Sequence, residues 1–362
     1  EWVSTGGSLV SGFEEEIARY VNMPRAVACN SGTSGLHLAL LVAGVKKDEE
    51  VIVPTLTFIA AVNPVRYCGA EPVFIGCDDS LCMSPVYLEN FCSTECEMKL
   101  GKLFNKKTHR EIKAVIIVHV FGNLADMESI METAKKYNLK VIEDATEALG
   151  SYFETGKYKG KMAGTIGDVG VYSFNGNKII TTGAGGMLVS NHEDWAEHAK
   201  YLSTQAKDDL VQFIHGEVGY NYRLTNLQAA LGLAQLEQLE NFIEHKHEIY
   251  NFYKENLDGK AGIKVLGFRK DTRSNCWFYS LYLGKYALSR NELINYLTQH
   301  KIQSRPVWAL IHEQKPYVNS QKYKTEKAED YRAHIVNIPC STNLTLDDAK
   351  RVIDTILAKV HP

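Results

Sequence analysis

The stretch Ser173-Phe174-Asn175-Gly176-Asn177-Lys178, followed by Ile179-Ile180-Thr181-Thr182 and Gly183-Ala184-Gly185-Gly186, decides how this chain reads. It places a single lysine among small polar residues and glycines, directly after the apolar β-type run 169–174. A surface lysine gains nothing from such surroundings. A lysine that must form an imine needs a fixed position, close backbone approach and a partly desolvated amine of lowered pKa. Upstream, the apolar run 114–120 and the strand-like Lys140-Val141-Ile142-Glu143-Asp144 lead into Ala145-Thr146-Glu147. An acid at one strand end and a lysine at the end of a later strand form the pair that pyridoxal phosphate chemistry demands. The lysine holds the aldehyde, and the acid keeps the pyridine nitrogen protonated so that the ring acts as an electron sink.

The rest of the chain sets the frame. Its 362 residues, 45% of them hydrophobic, suffice for one large and one smaller domain. A net charge of −3 recruits neither nucleic acid nor a membrane, so a phosphate-bearing ligand must be held by local geometry. No apolar segment is long enough to span a bilayer and no leader is recognisable, which points to the cytoplasm. The first residues are Glu1-Trp2 without methionine, so N-terminal residues are expected to be missing. The eight cysteines form no CxxC pair and read as reduced structural thiols. His245 and His247 point to different faces of a helical stretch, and no metal site is expected.

Strand-like runs at 26–29, 50–53, 72–75, 116–120, 141–143, 170–174 and 186–189 alternate with helical patterns at 10–21, 35–43 and 58–67. This alternation predicts helices packed around a largely parallel sheet. Residues 224–257 read as one long helix whose apolar stripe is Leu227, Leu231, Ala234, Leu236 and Leu239. Beyond it, 277–283 reads as a strand with one wet face and 302–306 as another strand. Residues 289–300 form a helix capped by Ser289 with Glu292 in the capping box, and 345–360 a closing helix. The division falls at 1–245 for a large domain and 246–362 for a small α+β domain. Residues 95–113, rich in lysine, read as a solvated loop.

Several short clusters carry both a functional and a structural reading. Asn30-Ser31-Gly32-Thr33-Ser34 lies between a strand and a helix, where backbone N–H groups and hydroxyls suit either a phosphate or ordinary capping. Phe58 reads as a platform for a planar ligand or as core. Asp144 ends an apolar strand and needs a partner, in a ligand or in a salt bridge. Asn221 and Arg223 read as anion donors or as part of a helix start. Ser304-Arg305-Pro306-Val307-Trp308 suits an anionic or sugar ligand, or a domain interface. Gly183 to Gly186 departs from the dinucleotide spacing and leads into a strand, and no Walker loop is present.

Over nearly its full length the chain resembles the DegT/DnrJ/EryC1/StrS family of pyridoxal-phosphate sugar aminotransferases. The resemblance rests on N-S-G-T-S-G-L-H-L-A-L from Asn30, P-T-L-T-F from Pro54, G-A-E-P-V-F from Gly69 and E-D-A-T-E-A-L-G from Glu143. It continues in G-D-V-G-V-Y-S-F-N-G-N-K from Gly167 and G-Y-N-Y-R from Gly219. The wording S-T-Q-A-K from Ser203 and S-R-P-V-W from Ser304 is most similar to the LegC- and PglE-like branch, which makes 4-amino sugars for legionaminic acid and bacillosamine.

The resemblance implies the aspartate aminotransferase-like fold (fold type I) and pyridoxal 5'-phosphate as cofactor. It implies that Lys178 holds the cofactor and moves the proton, Asp144 pairs with the pyridine nitrogen, and Phe58 stacks on the ring. Gly32, Thr33 and Ser173 would hold the phosphate. Asn221 would reach the phosphate of the neighbouring subunit, since family sites lie at a homodimer interface. Glu147 stands near the ring hydroxyl, where many relatives have glutamine. Asn175, Arg223, Arg305, Trp308 and His312 are candidates for the sugar nucleotide. The expected reaction takes the amino group of L-glutamate to the 4-ketone of a nucleotide-linked 6-deoxyhexose, on a UDP or GDP carrier with a 2-acetamido group. Amination of a 3-keto sugar and a non-catalytic, cofactor-binding regulator are the alternatives. A dehydratase of the same family has histidine in place of the lysine, and Lys178 disfavours it.

Overall fold

The apolar runs of the first half fold as strands whose ends meet on one side of a single sheet. The computed structural model describes residues 3–209 and 211–359. The strands are β1 (Ala26–Cys29), β2 (Glu50–Pro54), β3 (Glu71–Ile75), β4 (Cys96–Lys99), β5 (Lys102–Asn105), β6 (Glu111–Val118), β7 (Lys140–Asp144), β8 (Tyr152–Phe153), β9 (Val169–Ser173) and β10 (Gly186–Ser190). Across the main sheet the order is β1, β10, β9, β7, β6, β2, β3, with Lys322–Tyr323 added beside β3. β8 pairs elsewhere, with Thr272–Arg273. Along the main path β10 alone runs against its neighbours. The carboxyl ends of β7 and β9, carrying Asp144 and Ser173, therefore face the same way, the side on which open α/β sheets bind ligands.

Helix α1 (Ser8–Tyr20) packs beside this sheet and α2 (Gly32–Val42) lies on it. Ser31 caps α2, its hydroxyl accepting the Ser34 N–H at 3.1 Å. The first turn of α2 sits so close to β9 that a Cβ on Gly35 would lie 2.7 Å from Val171 Cγ1. That contact aims the helix N-terminus at the carboxyl edge of the sheet.

Four expectations need correction. Residues 95–113 are not a loop: β4 and β5 form a hairpin whose second strand pairs with β6. Leu103 and Asn105 are buried while the lysines stay outside, Lys102 on Glu111 at 2.6 Å and Lys106 on the Thr94 carbonyl at 2.8 Å. The expected helix over 58–67 splits into a 3-10 turn (Ile59–Ala61) and a short helix (Asn63–Tyr67), because Pro64 has no N–H to continue a preceding turn. The long helix is two, Asn226–Leu236 and Leu239–Leu257. Leu239 of the expected stripe is buried, but Leu227 and Leu231 are exposed. The first of these helices instead buries Ala229 and Gly232, and Gly232 lies on the Phe13 ring so closely that a Cβ would be 2.6 Å from Cζ. Lastly, the strand expected at 277–283 is only Tyr279–Tyr282; Tyr279 and Leu281 are buried on one face, and the other carries buried Ser280 and half-buried Tyr282.

A second buried cluster holds Ile249, Tyr253, Tyr279, Leu281, Leu293, Val336 and Ile353 around a four-stranded sheet. The capping box of Ser289 and Glu292 is formed, and the closing helix is Leu346–Leu357, with residue 360 of the expected span outside the described residues. All eight cysteines are free thiols.

Glu143 ties the strand ends together. Its fully buried carboxylate accepts hydrogen bonds from His119 Nε2 at 2.8 Å, Gly164 N at 2.9 Å, Ile166 N at 2.6 Å and Gly167 N. His119 Nδ1 accepts the Ala125 N–H at 3.2 Å, which leaves the ring proton on Nε2 for Glu143. Burial alone would raise the Glu143 pKa, but His119 and the backbone donors outweigh it and hold it below the usual carboxylate range. Glu143→Ala strands these donors inside the protein and is expected to destabilise by about 3–5 kcal/mol, read from urea unfolding. With the folded pKa depressed, the stabilisation is present at neutral pH and lost as pH falls through that folded value. Wild type should therefore lose its advantage over the variant on acidification.

Candidate active site

A cavity of about 600 Å³ opens at the carboxyl ends of β7 and β9. Gly32, Thr33, Phe58, Asp144, Glu147, Ser173, Asn175, Lys178, Arg305 and Trp308 all line it, so residues spread over 276 positions of sequence (32 to 308) meet in one place. Lys178 stands in the turn after β9, fixed by its backbone N–H on the Asn175 carbonyl at 2.9 Å. Its Nζ lies 3.7 Å from Glu147 Oε1 and 4.2 Å from the centre of the Trp277 ring, with the side chain 12% exposed.

The two acids differ. Asp144 Oδ1 accepts the Thr146 N–H at 3.0 Å. Burial raises its pKa, against the pull of Thr146 and the charges of Lys178 and His119. Glu147 Oε2 accepts the Phe121 N–H at 2.8 Å. Burial pushes Glu147 up to about 7, although Lys178 and the Phe121 N–H oppose the rise. A carboxyl of near-neutral pKa can take up or release a proton at working pH.

At the N-terminus of α2, Ser31 is the cap of the 30–34 run, while Gly32 and Thr33 line the cavity. A Cβ on Gly32 would lie 2.9 Å from Thr146 Cγ2 and 3.0 Å from Ser173 Cβ. Opposite, Phe58 is 52% exposed and turned to Trp308 at 6.3 Å, and Trp308 lies 4.7 Å from Phe121.

Sequence reasoning missed the wall contributed from residues 274–278. Trp277 stacks on Phe278 at 3.9 Å and donates its indole N–H to the Asn177 carbonyl at 2.8 Å. Its backbone N–H is held by Asn275 Oδ1 at 3.0 Å, and Asn275 Nδ2 grips the Glu147 carbonyl at 3.0 Å. Asn275 therefore links both sides of the Lys178–Glu147 contact. The polar-aromatic run Ser274-Asn275-Cys276-Trp277-Phe278, just ahead of a strand, was the available signal.

Three expected residues are not brought to this cavity. Asn221 is exposed, with Oδ1 accepting Arg223 Nε at 3.0 Å. Arg223 is likewise absent from the lining. His312 is buried, Nδ1 2.6 Å from Thr55 Oγ1 and Nε2 3.3 Å from Lys322 Nζ, and burial with the Lys322 charge lowers its pKa. That position ties two segments together and leaves it out of reach of a ligand in the cavity. Among the described residues no group of three or more His, Cys, Asp or Glu is placed to hold a metal ion, and no helix is long and apolar enough to cross a membrane.

Comparison with known proteins agrees with this geometry. The profile of the DegT/DnrJ/EryC1/StrS aminotransferase family matches residues 1–357. GDP-perosamine synthase of Escherichia coli O157:H7 is 38% identical over 356 residues, spanning 98% of this chain and 91% of its own. UDP-4-amino-4,6-dideoxy-N-acetyl-beta-L-altrosamine transaminase of Campylobacter jejuni subsp. jejuni serotype O:23/36 (strain 81-176) is 31% identical over 362 residues, spanning 98% and 91%. The crystal structure of S. venezuelae DesV with a ketimine intermediate superposes with a TM-score of 0.87 at 26% identity, covering 99% of this chain and 91% of that one. The chain belongs to the DegT/DnrJ/EryC1/StrS aminotransferase family, whose members are pyridoxal-phosphate-dependent sugar aminotransferases.

Proposed function

We propose that this protein transfers the amino group of L-glutamate to C4 of a nucleotide-linked 4-keto-6-deoxyhexose, on UDP or GDP, for glycans of the bacillosamine or legionaminic acid type. The observation that carries the reading is the meeting of Lys178 Nζ with two buried carboxyls, Asp144 and Glu147, in one cavity. Relatives named for a 4-amino-4,6-dideoxy sugar on UDP and for a GDP-linked sugar support nitrogen at C4 and leave both carriers open.

The cavity fits the cofactor. Gly32 leaves the first turn of α2 and the Ser173 hydroxyl open to a phosphate, in space a Cβ would fill. Asp144 faces the cavity with hydrogen bonds from Thr146 alone among the described residues, so a protonated ring nitrogen gives it the partner that burial demands. When bound, pyridoxal phosphate supplies the aldehyde that takes up the amino group and the ring that disperses the electrons of the broken C–H bond.

The chain's own residues do the rest. Lys178 anchors the cofactor; once released, its amine takes the proton from the glutamate α-carbon and returns one to the sugar's C4. Asp144 keeps the ring nitrogen protonated. Glu147, 3.7 Å from Nζ, stands where it can hold the proton that Lys178 gives up. Trp277 covers Nζ and excludes water from it. Phe58 flanks the ring, and Thr33 joins Gly32 and Ser173 at the phosphate. Asn175, Arg305 and Trp308 line the cavity where the sugar nucleotide would lie. Asn221, exposed on the single chain, is assigned to the neighbouring subunit's phosphate in a homodimer, and the exposed Leu227 and Leu231 suit such an interface. The second buried cluster lies wholly within 246–362 and supports a small domain there, with Trp277, Val307, Tyr317 and Tyr331 of that segment packing into the core of 1–245, and eight free thiols suit a reducing cytoplasm.

Lys178→Ala is expected to lower transamination at least about a hundredfold and to remove the visible band of the bound cofactor; full activity in this variant would refute the assignment. Gly32→Ala should weaken cofactor retention on dialysis while leaving the far-UV circular dichroism unchanged. A panel of 4-keto and 3-keto sugar nucleotides with glutamate, followed by product NMR, should give 2-oxoglutarate and a 4-amino sugar. Product only from the 3-keto substrates would overturn the regiochemistry, and no 2-oxoglutarate from any substrate would favour a regulator.

A further inference from the structure

A second cleft, of about 750 Å³, shares Asn177, Lys178, Trp277, Phe278, Arg305 and Asn337 with the active-site cavity and lies between the turn after β9 and the loop 339–344. Its charge is one-sided. Besides Lys178, which meets Glu147, it is lined by Lys246, Lys301, Arg305 and Arg351, and none of these four has a carboxylate partner among the described residues. Lys246 donates to the Cys340 carbonyl and lies 5.0 Å from the Tyr279 ring centre, Arg351 donates to the His300 carbonyl at 3.1 Å, and Arg305 reaches only the Ser304 carbonyl at 3.5 Å. The single acid in the lining, Asp348, is already engaged by the Thr345 hydroxyl at 2.7 Å.

Two buried members of this lining are short of partners, Lys246 having a carbonyl but no anion and Ser304 having neither. Lys246 is 2% exposed, and an ammonium withdrawn from water is ordinarily paired with an anion. Ser304 is 4% exposed and its Oγ has no hydrogen-bond partner. Buried polar atoms left open in this way call for a ligand atom or a water. In a chain of net charge −3, convergence of four unpaired cations and an open hydroxyl on one concavity is a specific arrangement.

We propose that this cleft is a second anion-binding site, distinct from the cofactor's phosphate cradle, that takes a small phosphate or dicarboxylate between Lys246, Ser304 and the Lys301–Arg351 rim. The ligand's negative charge completes Lys246, and the Ser304 hydroxyl donates to it. Because Arg305 and Trp277 border both cavities, an anion held there adjoins the substrate's wall.

Calorimetric titration of the cofactor-loaded enzyme with inorganic phosphate and, separately, with glutarate tests this. At least one should bind saturably, and the surface double substitution Lys301→Gln, Arg351→Gln should weaken it by about tenfold or more. Lys246→Met should abolish it, and the surface pair decides the matter should that variant fail to fold. A phosphate isotherm that alone responds assigns the phosphate class, and a glutarate isotherm that alone responds assigns the dicarboxylate class. If neither anion binds, or if binding is unchanged in the surface variant, the proposal is overturned.

Discussion

Three acids, Glu143, Asp144 and Glu147, are buried within one turn of chain at the end of β7, and the molecule is organised around giving each a partner. Successive strand residues point to opposite faces. Glu143 therefore turns to His119 and the backbone before β9, while Asp144 turns into the cavity. Glu147, past the strand, meets Lys178. A buried carboxylate without partners is expensive, so these pairings fix the ends of β6, β7 and β9 relative to one another. Lys178, to which the proposed chemistry is assigned, is positioned by the same solution.

The site then draws on segments far apart in the chain. The sheet and α2 supply the carboxyls, the lysine and the open helix N-terminus at Gly32 and Thr33. Residues after 270 supply Trp277, Arg305, Trp308 and Asn337 as the opposite wall. Asn275 joins the two, since it holds the Glu147 carbonyl with one end and the Trp277 N–H with the other. Its close fit depends on Gly122, whose φ of +85° suits glycine and where a Cβ would come 1.9 Å from Asn275 Oδ1. Catalytic geometry is thus set by packing that is remote in sequence.

This explains what could be read from the sequence. Asp144, Ser173, Lys178 and Gly32 stand at or just after apolar runs, so their place at strand ends and at a helix start was legible from local pattern. The aromatic wall was not, because Trp277 meets Lys178 across 99 positions (178 to 277) and nothing local to either announces the contact. The hairpin at 95–113 is hidden in the sequence because lysines flank buried Leu103 and Asn105, and the charges mask the alternation. Helical spacing marks Leu227 and Leu231 as an apolar stripe but not what covers it; within the chain the helix turns a different face, through Gly232, onto Phe13. His312 sits next to a motif that does reach the cavity, and sequence proximity alone cannot tell an inward from an outward side chain.

The central claim is that one amine, Lys178 Nζ, carries the cofactor between Glu147 and Trp277. Borohydride reduction of the cofactor-loaded enzyme, followed by peptide mass spectrometry, locates that amine directly. The pyridoxyl mass should appear on Lys178 in the peptide that contains Ser173. Its appearance on another lysine, such as the buried Lys246, or on none, would contradict the account.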